Sequence, residues 1–220
     1  MFSLCIDVGV RNLSLMLMDT TSESIILWQN IDLFPSRKCE AIKKVDGVVC
    51  GNKLKDDEDN GNKCGIHGGK HRAVGGRRRR KDCDDLEKVA MALNSAINNL
   101  VLQIKDKTIE KVHVYIERQP PKQNRMLFVS HILFGKLCEV GYVCLFVSTR
   151  AKAPFLKNYL AAHGNSYKNR KTASVQFAKK YLEDVNSPYL EFYNASSKKD
   201  DLSDTLLYCL WTCLGRKKNI

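Results

Sequence analysis

Four carboxylates stand where a carboxylate is hard to place, and their spacing defines the chemistry open to this chain. Asp7 lies inside Leu4-Cys5-Ile6-Asp7-Val8-Gly9-Val10, an apolar run of strand character. An ionised acid is expensive to bury there unless a cation compensates it. Glu117 poses the same problem at the end of Val112-His113-Val114-Tyr115-Ile116. Asp201 and Asp204 are three residues apart in a helical pattern, so both fall on one face and repel each other. Rigidly placed oxygen ligands with room left for water and phosphate suit Mg²⁺ or Mn²⁺. Two such ions can activate a water and stabilise the leaving oxygen of a phosphodiester. Each acid alone has a plainer account: Asp7 as a turn residue, Asp204 as a solvated acid near a helix N-terminus. Their order along the chain (strand, acid, strand, acid, helix, acid pair) argues for them jointly. Asp200 also shares a face with Asp204, at i, i+4, so the residues alone leave Asp200 and Asp201 as competing ligands.

A second cluster has different chemistry. Cys39, Cys50, Cys64, His67, His71 and Cys83 crowd into one polar stretch. Cys64-Gly65-Ile66-His67 has the Cys-x-x-His spacing of a zinc half-site, which Cys39 and Cys50 would complete, with His71 competing for the place of His67. Bound zinc would explain how a segment with so few apolar residues holds a shape. A basic loop with unligated thiols is the alternative. Arg77, Arg78, Arg79, Arg80 and Lys81 close the stretch as a phosphate-contacting patch for DNA. The same run also satisfies a nuclear-localisation pattern.

The elements that must position these groups follow from periodicity. Phe2 to Asp19 reads as two strands joined by a turn at Gly9 to Asn12, and Ser24 to Leu33 as a third. The segment 35–81 is rich in Gly, Lys, Arg and Asp, and reads as an insertion or long loop. Leu86, Val89, Ala90, Leu93, Ile97, Leu100, Val101 and Ile104 recur at helical spacing. Lys111 to Glu117 is a strand, Asn124 to Glu139 a helix ended by Gly141, and Tyr142 to Val147 a fifth strand. Helices follow near Pro154 to His163 and Lys171 to Leu182. The last, Asp201 to Leu214, has Leu202, Leu206, Leu210 and Trp211 to pack. A meander followed by alternating helices and strands predicts an α/β domain on a mixed sheet.

Composition sets the outer limits. The 220 residues suit one domain, with or without a small insertion, and 44% hydrophobic residues suffice for a core. A net charge of +12 favours polyanionic partners, nucleic acid before acidic membrane. No apolar run is long enough to cross a bilayer, and the first residues, which lack a basic n-region and carry Asp7 inside their apolar stretch, are poorly suited to be a signal peptide. Of the nine cysteines, Cys5, Cys138, Cys144, Cys209 and Cys213 sit in apolar periodic segments and read as small buried hydrophobes, and the odd total fits a reducing compartment.

Three pieces together resemble a known family. Ile6 to Ser14 (IDVGVRNLS), Tyr115 to Gln119 (YIERQ) and Lys198 to Leu207 (KKDDLSDTLL) are similar to the three signature segments of the RuvC-like Holliday-junction resolvases. The similarity is closest to the poxvirus branch and its mitochondrial relatives, in which a GxRN-type turn follows the first aspartate. It spans nearly the whole chain apart from 35–81.

The resemblance implies an RNase H-like fold: a mixed five-stranded sheet flanked by helices, with the Cys/His segment inserted after the third strand of a single nuclease domain over 1–220. It implies a structure-selective endonuclease that cuts four-way and other branched DNA as a homodimer, in viral DNA recombination and replication. A virus of that kind works in the cytoplasm of its host cell. Asp7, Glu117, Asp201 and Asp204 would be the metal ligands, the family's spacing favouring Asp201 over Asp200. Lys171 would lie near the scissile phosphate, although a solvated lysine opening a helix reads equally well from sequence. The helix over Asn124 to Glu139, with Met126, Leu127, Val129, Ile132, Leu133 and Leu137, would serve both core and dimer surface.

Three other functions compete. A different RNase H-like nuclease would share the acids. A non-catalytic, zinc-stabilised nucleic-acid-binding module would rest on the Cys/His cluster and leave Asp7 and Glu117 unexplained. Actin-like kinases and ATPases share an Asp-x-Gly turn, but need two such domains around a nucleotide.

Overall fold

The computed structural model describes residues 1–35, 49, 85–107, 109 and 111–217. The chain divides into two compact units, Met1–Leu33 with Asp85–Ile220, and Phe34–Asp84. Cys39, Cys50, Cys64, His67, His71, Cys83 and the run from Arg77 to Lys81 lie outside the described residues.

In the larger unit the strands are β1 (Phe2–Val8), β2 (Asn12–Asp19), β3 (Ser24–Asp32), β4 (Val112–Glu117) and β5 (Val143–Val147). They form one sheet in the order β3-β2-β1-β4-β5. β1, β2 and β3 are an antiparallel meander, while β4 runs parallel to β1 and β5 parallel to β4. The helices are α1 (Leu86–Lys105), α2 (Asn124–Glu139), α3 (Ala153–His163), α4 (Tyr167–Asp184), α5 (Leu190–Ala195) and α6 (Lys199–Lys217), with a 3-10 turn at Thr149–Lys152. This is the mixed-sheet α/β architecture that the patterning predicts.

Both faces of β1 are covered, which is why its apolar run is nearly continuous rather than alternating. Cys5, with Met16 and Met18 of β2, packs against Leu202, Leu206, Cys209 and Cys213 of α6. Ile6, Leu13 and Leu15 face Ile97 and Leu100 of α1 and Leu133 of α2 around a small void. Because β1 side chains alternate, Asp7 shares the α6 side with Ser3 and Cys5. Ser3 accepts a hydrogen bond from Thr212 of α6 at 3.0 Å. β4 obeys the same rule: Tyr115 packs into the α6-side core, so Glu117 points there too.

Three local expectations change. Trp211 is 36% exposed rather than packed. It lies nine residues beyond Leu202, two and a half turns, and so on the opposite side of α6 from the Leu202-Leu206 stripe. Tyr208 fills the interior instead and is fully buried. Cys138 is exposed, unlike Cys5, Cys144, Cys209 and Cys213, because the buried stripe of α2 runs through Val129, Leu133 and Leu137. The helix expected from Lys171 begins at Tyr167, where Ser166 caps it by accepting from the Asn169 amide at 3.1 Å. Nor does the periodicity reveal α5, whose six residues are too few to establish a helical repeat.

Candidate functional site: an acidic cleft around a lysine

The acids converge because the register brings them level. Ile6 of β1 pairs with Ile116 of β4, and the next residue on each strand is Asp7 and Glu117. Both strands end there, at the carboxyl edge of the parallel part of the sheet, where open α/β sheets commonly bind ligands. α6 crosses the same edge and contributes Asp200, Asp201 and Asp204 to a cleft of about 990 Å³. Gly9 permits the tight β1-β2 turn at its rim. A β-carbon there would stand 2.6 Å from the Asn12 carbonyl oxygen.

Glu117 is the most enclosed of the acids, at 8% exposure. The Tyr208 hydroxyl donates to Glu117 Oε1 at 2.8 Å, and Gln119 Nε2 donates to the Glu117 carbonyl at 3.3 Å. Asp7 also hydrogen-bonds to Glu117. Burial pushes the Asp7 carboxyl well above the usual range, and the Glu117 bond and the charges of Glu117 and Asp204 push it further. Burial works the same way on Glu117, but the hydrogen bond from Asp7, the Lys152 charge and the Tyr208 hydroxyl outweigh it and hold Glu117 low. These surroundings favour the neutral form of Asp7 and the charged form of Glu117.

At the centre stands a cation that the sequence reading does not single out. Lys152 Nζ is 2.5 Å from Asp204 Oδ2 and 3.8 Å from Glu117 Oε1, and lies 5.0 Å from the centre of the Tyr208 ring. Burial raises Asp204 and Lys152 pulls it back, leaving it above the ordinary aspartate value. Lys152 and Tyr208 are each placed by an element that also serves the acids. Lys152 follows β5 by a single turn, and β5 is parallel to the strand that ends in Glu117. Tyr208 is the i+4 neighbour of Asp204 on α6, hence on the same face.

Lys171 of α4 sits at the cleft wall, paired with Asp200 rather than with the central acids. Burial alone would raise Asp200, but the Lys171 hydrogen bond and charge overcome it and hold Asp200 low. Asp201 differs: burial and the neighbouring Asp200 charge raise it. Asp7, Glu117 and Asp204 are thus gathered around Lys152, with Asp201 in the same cleft and Asp200 engaged by Lys171.

Among the described residues no group of three or more His, Cys, Asp or Glu side chains is arranged to hold a metal ion. The donor chemistry nevertheless fits a hard divalent cation. The facing ligands are carboxylate oxygens, and Lys152 supplies one positive charge against Asp7, Glu117 and Asp204. The remaining negative charge adds to burial in raising the Asp7 carboxyl.

No protein-family model matches the chain, and no curated protein sequence matches it. Among solved structures, T. thermophilus RuvC in complex with a Holliday junction substrate superposes with a TM-score of 0.53 at 8% identity, over 99% of this chain and 96% of that one. A second Thermus thermophilus RuvC structure gives 0.47 at 11% identity, over 98% and 97%. An Aquifex aeolicus member of the Ppx/GppA family gives 0.31 at 16% identity, over 74% of this chain and 39% of that one. The fold is therefore α/β and RNase H-like, a five-stranded mixed sheet with flanking helices.

Proposed function

We propose that the chain is a divalent-metal-dependent endonuclease that cuts four-way and other branched DNA, resolving Holliday junctions by paired phosphodiester hydrolysis. One observation carries the reading: acids from β1, β4 and α6 meet in an open cleft at the carboxyl edge of an RNase H-like sheet. The RuvC structure of the same fold is described in complex with a Holliday junction, which supports branched DNA as the substrate class.

Asp7, Glu117 and Asp204, with Asp201 beside them, would hold Mg²⁺ or Mn²⁺, one ion or the two that the ligand number suggests. Such ions would supply water activation and charge stabilisation at the leaving oxygen. The chain's own groups do the rest. Tyr208 fixes the Glu117 carboxylate through its buried hydroxyl. Lys171, Arg150 and Arg170 line the cleft and would meet phosphate oxygens, positioning the duplex arms without reading bases.

The finer proposals extend the sequence resemblance. They are a homodimer that nicks two strands symmetrically, a role in viral recombination in the host cytoplasm, and a 35–81 insertion that either binds zinc through Cys39, Cys50, Cys64 and His67 or serves as a basic DNA-contacting loop. No described helix is long and apolar enough to cross a membrane.

The test is incubation with synthetic four-way, three-way and linear duplexes in Mg²⁺, with nick positions mapped. Paired symmetric nicks confined to branched DNA are expected. Binding without cleavage under every metal condition would instead favour the non-catalytic module.

A further inference from the structure

The position of Lys152 raises a conflict that the proposed function leaves unresolved. Its ammonium holds Asp204 Oδ2 at 2.5 Å and stands 3.8 Å from Glu117 Oε1. Its side chain is only 14% exposed and its charge lies near the Tyr208 ring. These are the oxygens that a divalent cation in the cleft would need. Two cations within about 4 Å repel strongly in a partly desolvated site, so both cannot keep these contacts. The flexible four-carbon stem gives Lys152 a way out. It springs from the turn that also brings Thr149 and Arg150 to the cleft wall, so an ammonium leaving Asp204 remains within the cleft.

We propose that Lys152 is a resident counter-ion of the metal-free site, neutralising Asp204 and Glu117, and that a divalent cation enters only by displacing its ammonium from Asp204. The inference rests on the reading that these carboxylates bind metal. It adds that the chain carries its own competitor for that metal. Lys152 is thus a positioning residue: it holds the empty carboxylates in place and sets how much free metal is needed to fill them. This differs from the part assigned to Lys171, whose partner is Asp200 at the rim.

The experiment titrates Mn²⁺ alone into the full-length chain, following free Mn²⁺ by electron paramagnetic resonance, for the wild type, Lys152→Met and Lys152→Arg. Losing the internal cation should tighten Mn²⁺ binding by about tenfold or more, while the arginine variant stays near wild type. Thermal melting gives a second readout. Without metal, Lys152→Met should melt below wild type, and Mn²⁺ should raise its melting temperature by more than it raises that of the wild type. Should the variant be unfolded without metal, recovery of a cooperative transition on adding Mn²⁺ is expected, and failure to recover contradicts the proposal.

Equal or weaker Mn²⁺ affinity in Lys152→Met overturns the counter-ion role and leaves the nuclease reading standing. Absence of Mn²⁺ binding in both wild type and Lys152→Met overturns both. Tighter binding in Lys152→Met by a chain that cuts no DNA keeps the counter-ion and removes the nuclease.

Discussion

Asp7 and Glu117 are set apart by the company they keep. Each stands at the carboxyl end of a largely apolar strand, where burial raises Asp7 while hydrogen bonds and the Lys152 charge hold Glu117 low. The Tyr208 hydroxyl is the fixed element of this group, donating to Glu117 from a fully buried ring. Tyr208→Phe removes that donor without changing shape, and leaves a buried carboxylate oxygen short of a partner. The expected loss is about 1–3 kcal/mol of stability in the metal-free protein, read by denaturant titration. Because the same bond orients a proposed metal ligand, Mn²⁺ affinity should fall as well. Retained stability and affinity would show that Glu117 is held by other groups. At this scale the sequence was informative about cost but not about compensation. An acid in an apolar strand stands out from its neighbours in the chain, so Asp7 and Glu117 are legible. Lys152 and Tyr208 are ordinary residues in their own segments. Only a fold that brings residues 35 and 91 positions away from Glu117 against its carboxylate reveals them.

Elements decide where those side chains are aimed. The β1-β2 turn must let Gly9 pass 2.6 Å from the Asn12 carbonyl, measured from the β-carbon that glycine lacks. Gly9→Ala should therefore force the turn open two residues from Asp7. It should lower both the melting temperature and any metal-dependent activity, and wild-type behaviour of both would mean the turn relaxes elsewhere. The next hairpin carries a pH prediction. Asp19 caps the β2-β3 turn by accepting from the Thr21 amide at 2.9 Å and the Ser22 hydroxyl at 3.0 Å. The Thr21 bond leads in holding its carboxyl below the usual aspartate value, outweighing a small burial effect, with Ser22 and the N-terminus assisting. A depressed folded value stabilises the protein above the unfolded value, about 3.9, and that contribution disappears as pH falls through the folded one. Asp19→Asn should accordingly melt lower than wild type at neutral pH, with the gap closing below about pH 4. A gap that persists in acid would place the effect in the hydrogen bonds of the turn rather than in its charge. Strand and helix order were readable because β4 alternates, α1 has a strong helical period, and β1 and β2 are short, nearly continuous apolar runs closed by turn residues. The outward face of Trp211 and the short α5 were not. Burial on several sides of α6 blurs its stripe, and six residues carry little period.

For the whole molecule, a charge of +12 is spread over a chain whose proposed active cleft is acidic at its floor and basic at its rim. Such a surface should bind DNA through phosphates, with an affinity that falls steeply with salt. With about six phosphates contacted, the loss between about 50 and 200 mM salt is about a thousandfold. A flat salt profile in an electrophoretic or fluorescence-anisotropy titration would contradict this. The most direct test of the whole account is cleavage of a synthetic four-way junction in Mg²⁺ by the wild type and by Asp7→Asn, with junction binding measured in parallel. The account predicts symmetric nicks from the wild type and none from Asp7→Asn, with junction affinity retained in the variant. Undiminished cleavage by Asp7→Asn would contradict it.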